Sequence, residues 1–177
     1  MIAAHPPDAS PRERPLAVYI CSFKTDEPVD VFLEAARGLA EVDFLVSGRA
    51  PLEVAARLPG NVRLTGFLGE EEYNRLLAGS DAIVALTTRA DTLLYGAQEA
   101  IALHKPLVLS RTPTLEAYFP EGTVFAENTA GALREAIRDA LRRKEELGSR
   151  MAAFETRFRA EGDARIEEVR RRVNLGS

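Results

Sequence analysis

Apolar residues along this chain fall into short runs, separated by longer stretches in which they recur every three or four positions. Residues 16–21 (Leu-Ala-Val-Tyr-Ile-Cys) form the first run. It is continuous rather than alternating, as expected of a strand covered on both faces. Short runs at 42–47, 62–65, 81–86, 106–109 and 123–126 predict further strands. Between the runs the period changes. Phe32, Leu33, Ala36 and Leu39 share one face of a helix predicted over 29–40, with Pro28 at its start and Asp26 or Glu27 as N-cap. A short helix over 52–58 is closed by Pro59, Gly60 and Asn61, and Tyr73, Leu76 and Leu77 point inward from a helix over 70–78. Further helices are predicted over 94–104, 114–119, 129–147 and 152–173.

Strands alternating with helices at this spacing predict βαβ units, whose right-handed crossovers build a parallel sheet covered on both sides. The expected fold is α/β: a single Rossmann-like, doubly wound domain of about six strands. In such sheets ligands sit beyond the carboxyl ends of the strands. The loops at 22–27, 48–50, 66–69, 87–95 and 110–114 are therefore the places to look for a site.

The boundaries follow from composition. Residues 1–15 hold four prolines and two arginines and read as a flexible tail or linker, with a strap packed on the domain as the alternative. Residues 16–150 form the Rossmann-like domain, and 151–177 a C-terminal helix. A chain of 177 residues that is 46% hydrophobic suits one domain with a core of its own.

Charge and chemistry remove several function classes. The 23 Lys and Arg against 27 Asp and Glu leave a net charge of −4, the wrong sign for a dedicated nucleic-acid binder. Cys21 is the sole cysteine, and His5 and His104 are the two histidines, so neither an intrachain disulfide nor a Cys-rich or multi-His metal site is expected. No apolar run approaches the ~20 residues that span a bilayer, and residues 1–15 lack the basic and apolar parts of a secretory signal. The expectation is a soluble cytoplasmic protein. Neither a G-x-G-x-x-G, nor a P-loop, nor a G-x-S-x-G elbow occurs. His104, before Lys105 and Pro106, reads as a cation complementing a helix dipole.

The informative stretch is 87–110, which leaves a strand, crosses a polar loop and enters a helix carrying Glu99. One reading of Glu99 is a solvated surface residue. The other is a carboxylate whose two oxygens accept from the vicinal hydroxyls of a ribose. The helix N-terminus at 94–96, with Gly96, would then offer free backbone amides to a phosphate.

The same stretch resembles the donor-binding half of GT-B fold glycosyltransferases, especially the large retaining family that uses nucleotide-activated sugars. That family has a small hydroxylic residue after a strand, an acid, seven residues, a glutamate followed by Ala, then an apolar pair, a turn and Pro-Val-Val. Here Thr87 ends the strand, Asp91 is followed by seven residues and Glu99-Ala100, and Pro106-Leu107-Val108-Leu109 follows. Upstream, Asn61-Val62-Arg63-Leu64-Thr65-Gly66-Phe67-Leu68 resembles the family's N-V-x-F-x-G-x-L. Ser80-Asp81-Ala82-Ile83-Val84 resembles its S/A-D-V-x-V, and Ser47-Gly48-Arg49 its V-x-G. The likeness covers residues 16–145.

The resemblance implies that Glu99 holds the ribose, Gly66 and Leu68 lie near the base, Lys24 faces the diphosphate, Thr87 and Gly96 join the nucleotide- and donor-binding residues, and Asp91, the catalytic candidate, reaches the donor sugar. Arg49 is a second candidate cation. Two departures stand out: Asp91 replaces a longer glutamate, and the family's glycine two or three residues later appears here only at Gly96. No cofactor is implied, since the nucleotide-sugar is substrate. The implied partner is the N-terminal GT-B domain, in a longer chain or as a separate one, with an acceptor among glycans or lipid-linked sugars. Residues 134–172 hold 12 Lys and Arg beside nine Asp and Glu. They read as a solvated helical face, with peripheral membrane contact through Arg170, Arg171 and Arg172 as the alternative. Two other functions stay open: a non-catalytic Rossmann-like module binding a nucleotide or a protein, and a nucleotide-sugar epimerase.

Overall fold

Six parallel strands in the order β3-β2-β1-β4-β5-β6 form the sheet of the computed structural model, which describes residues 12–174. The strands are β1 (Leu16–Tyr19), β2 (Asp43–Ser47), β3 (Val62–Gly66), β4 (Ala82–Ala85), β5 (Leu107–Ser110) and β6 (Thr123–Ala126). The helices are α1 (Val29–Arg37), α2 (Leu52–Ala55), α3 (Glu70–Ala78), α4 (Tyr95–Ala102), α5 (Pro113–Tyr118), α6 (Ala130–Arg142) and α7 (Lys144–Asn174). The α/β, Rossmann-like expectation thus holds. His5, most of the expected N-terminal tail and residues 175–177 lie outside the described residues. Residues 12–15 lie against the domain: Arg12 and Arg14 pair with Asp81 and Asp43 at 3.5 and 3.7 Å, and the Pro15 carbonyl accepts from the Asp43 amide.

The continuous apolar runs are buried on both faces, as their composition requires. Ala17, Tyr19, Phe44, Val46 and Val84 face α1 and α6, while Leu16, Val18, Ile83, Leu107 and Leu109 face the layer that includes α3, α4, α5 and α7. Phe32 anchors the first layer, 4.3 Å from the Tyr19 ring and 5.4 Å from that of Phe44 between centroids. Truncating it to Ala would cost about 3–5 kcal/mol, as for any fully buried phenylalanine.

Two boundaries differ from the sequence expectation. The N-cap of α1 is Pro28 itself, without a side-chain hydrogen bond, because the Glu27 carboxylate turns back onto the preceding loop. The last two helices part at Arg143 rather than between Leu147 and Ala152. Gly148 stays helical because its missing side chain lets α7 pass the His104 carbonyl, which a Cβ would meet at 3.1 Å. His104 has φ 53°, and the amides of His104 and Lys105 bond the carbonyls of Ile101 and Ala100. That is a left-handed helix stop of the kind glycine usually makes. Among the described residues no helix is long and apolar enough to cross a membrane.

Candidate functional site

Strands β1 and β4 are neighbours in the sheet, yet the chain leaves β1 toward β2 and leaves β4 toward β5. Their carboxyl ends therefore diverge, and the space between the outgoing loops is where an open α/β sheet holds its ligand. A cleft of about 470 Å³ lies there, lined by residues 20–22, Lys24, Asp26 and Glu27 on one side and by Ala85, Leu86, Arg89 and residues 92–96 on the other.

The first wall is held by Glu27. Its carboxylate accepts from the Ser22 and Lys24 amides at 3.0 and 2.7 Å and from the Ser22 hydroxyl at 3.2 Å. These bonds help hold Phe23 at φ 59°, an uncommon conformation for a non-glycine residue. Lys24 stands at the rim, exposed, and its ammonium forms no ion pair among the described residues. Cys21 also lines the cleft, but burial pushes its thiol up to about 12, which removes it as a nucleophile at neutral pH.

The second wall is tied to the first. The Thr88 amide donates to the Asp26 carbonyl at 2.7 Å, and the Arg89 guanidinium lies 3.4 Å from the Asp26 carboxylate. Thr87 is fully buried. Its amide donates to Ser110 Oγ at 2.9 Å, its carbonyl accepts from Asn128 Nδ2 at 2.9 Å, and its hydroxyl accepts from the Arg89 amide at 3.1 Å. Ser110 donates in turn to Asn128 at 2.7 Å, so this knot joins the ends of β4, β5 and β6.

Helix α4 opens directly on the cleft. Its N-cap, Leu94, supplies no side-chain bond, and its first turn carries no acid. The Tyr95 and Gly96 amides are left without partners among the described residues, the state in which a helix N-terminus attracts an anion. Gly96 brings the helix this close: a Cβ there would lie 2.9 Å from Ile20 Cδ1 and 3.3 Å from Ala85 Cβ. Glu99 follows one turn after Tyr95. It is half-buried, and its Oε2 accepts from the Tyr73 hydroxyl of α3 at 2.9 Å.

The sequence candidates separate accordingly. Lys24 and Gly96 line the cleft, whereas Glu99 lies one turn further along α4, outside its lining. Gly66, at φ 69°, ends β3, followed by Phe67, which is 89% exposed, and the half-buried Leu68. Asp91 is exposed on the loop before α4, free of hydrogen bonds and ion pairs among the described residues. Arg49 is exposed and outside the cleft lining. Beside it, Gly48 (φ 89°) packs so closely that a Cβ would lie 2.2 Å from the Cys21 carbonyl oxygen. The sequence reading missed Asp26, Glu27, Tyr73 and Arg89 as site residues. Acids ahead of a proline look like caps, and Tyr73 looks like core; only the tertiary fold reveals their partners. Among the described residues no group of three or more His, Cys, Asp or Glu is arranged to hold a metal.

Comparison with known proteins adds to this geometry. No curated protein matches the chain significantly. Among solved structures it resembles sucrose-phosphate synthase from Thermosynechococcus elongatus, with a TM-score of 0.71 at 19% identity, covering 96% of this chain and 47% of that one. It also resembles Anabaena HepE in complex with UDP, with a TM-score of 0.70 at 14% identity, covering 82% and 44% of the two chains. A UDP-forming trehalose-phosphate synthase from Burkholderia xenovorans gives 0.62 at 16%, covering 80% and 40%. The chain thus spans less than half the length of these relatives, and at such identities the likeness concerns the fold. The family model described as glycosyl transferases group 1 matches residues 14–143, and this chain belongs to that family.

Proposed function

We propose that this chain is the donor-binding half of a glycosyltransferase, taking a nucleoside-diphosphate sugar into the cleft between β1 and β4. The carrying observation is that Lys24 and the open N-terminus of α4 line one cleft, with Glu99 one turn further along the same helix. A diphosphate there meets a cation and two free amides. The ribose reaches Glu99, and the base lies toward Gly66 and Leu68. The leaving diphosphate is the group whose charge grows during transfer, so the cation and the helix end act where stabilisation counts. UDP is the nucleotide to test first, because Anabaena HepE was solved with it.

Asp91 belongs to the donor-sugar end of the same proposal. Its exposure on the loop entering α4, without a partner among the described residues, leaves the carboxylate available to sugar hydroxyls. The acceptor and the rest of the catalytic groups come from a second domain, in keeping with the chain's span of under half its relatives' length. The far part of α7, with Phe158 and Ile166 exposed, serves contact with that domain, and Arg170, Arg171 and Arg172 supply a basic patch for a peripheral membrane surface. A cytoplasmic setting agrees with a lone, buried, unpaired cysteine.

Thermal shift and calorimetric titration with UDP, GDP and ADP test this reading. A nucleotide at 100 times its Kd should add about 2.7 kcal/mol to stability. Failure of all three to bind overturns it. Binding without sugar transfer, once a second domain is supplied, would instead favour a non-catalytic nucleotide module.

A further inference from the structure

We infer that Tyr73 is a positioning residue that sets the ribose selectivity of the site, by holding the Glu99 carboxylate where a vicinal diol meets it. The inference rests on the reading of Glu99 as the ribose acceptor. It starts from the hydrogen bond between α3 and α4, Tyr73 Oη to Glu99 Oε2 at 2.9 Å. Glu99 accepts no other bond among the described residues, so Oε1 and the second lone pair of Oε2 remain free. Glu99 lies four residues beyond Tyr95, about 6 Å further along the helix axis. That is the scale of the separation between the 5′-phosphate of a nucleotide and its ribose diol.

A glutamate on a helix surface has three rotatable bonds and would have to be immobilised when the diol binds. The phenol removes that freedom beforehand. Tyr73 suits the task because burial, and then the hydrogen bond to Glu99, push its pKa well above the ordinary phenol value. It therefore stays an O–H donor through the neutral range. Tyr73 also packs against the apolar cluster that contains Leu76, Leu77 and Ala97, so a purely structural role must be told apart from a positioning one.

The test compares UDP with 2′,3′-dideoxy-UDP, which lacks the diol, by calorimetric titration of wild type, Tyr73→Phe and Glu99→Gln. Wild type should prefer UDP. Tyr73→Phe should lose about threefold to tenfold in UDP affinity while its affinity for the dideoxy compound stays the same, so the preference shrinks. Equal loss for both nucleotides would mark Tyr73 as structural, and an unchanged preference would mark it as idle; either overturns the inference. A preference lost in Glu99→Gln but kept in Tyr73→Phe leaves the ribose reading standing and removes this one. Wild type binding both nucleotides equally, or neither, removes both.

Discussion

Gly96 presses against Ile20 so closely that a single methyl group would come within 2.9 Å of the Ile20 Cδ1 atom. The contact joins the first turn of α4 to the end of β1, and it sets the distance from the helix amides to the cleft. Gly96→Ala should therefore act twice. The forced shift should destabilise the domain by about 1–3 kcal/mol, as overpacking does. Displacement of the amides should also weaken UDP binding. Melting and titration of the same variant measure both. Loss of stability with intact affinity would mean that the helix end is not part of the anion site.

Lys24 and Arg49 were the sequence candidates for the diphosphate, and only Lys24 lines the cleft. Lys24→Ala should weaken UDP by about threefold to thirtyfold, the loss of a charge-assisted contact at a partly solvated rim. It should affect uridine hardly at all, and the loss should shrink as salt screens the charge. Arg49→Ala should leave UDP binding unchanged. The reverse ranking in a titration would move the diphosphate toward the end of β2.

His104 occupies the left-handed position that ends α4, at φ 53°. A side chain there strains a backbone that glycine adopts freely. His104→Gly should raise stability by about 0.5–1 kcal/mol, read as a melting shift of roughly 1–4 °C for a chain of this size. Nucleotide affinity should stay the same, because the residue lies at the opposite end of α4 from the cleft. A lower melting point would show that the imidazole makes a stabilising contact that outweighs the strain.

What could be read from the sequence was whatever depends on local period. The apolar runs at Leu16, Ala82 and Leu107 announce buried parallel strands because no other common element hides both faces over so few residues. The position of Glu99 on a helix after a strand was equally local. The break between α6 and α7 was not, because Gly148 looks like a stop until the His104 carbonyl that it passes is known. Thr87 shows the same limit: a threonine after a strand resembles a ligand contact, yet its polar atoms join Ser110, Asn128 and Arg89. Tyr73 and Glu99 are 26 residues apart, and nothing in either neighbourhood announces their bond.

At the other end of the sheet, Asp81 accepts from the Leu16 amide at 2.8 Å and from Lys144 at 2.9 Å, with Arg12 at 3.5 Å. Burial by itself would raise this carboxyl, but the amide and the two cations outweigh it and hold Asp81 below the ordinary carboxylate value. The direction fixes the sign of the pH effect. A group more acidic in the folded state contributes its full stability above its unfolded pKa, near 3.9, and loses it as pH falls through the lower folded value. Asp81→Asn keeps an acceptor for the Leu16 amide and removes the charge that ties β1 and β4 to the start of α7. At neutral pH the variant should melt roughly 2–4 °C below wild type, the equivalent of about 1 kcal/mol. The gap should begin to close as pH drops below about 4 and vanish only below the lower folded value, where the wild-type carboxylate is itself protonated. Melting curves of both proteins between pH 3 and pH 7 decide the matter. A gap that stays constant across that range would mean that the side chain's shape, rather than its charge, holds the junction.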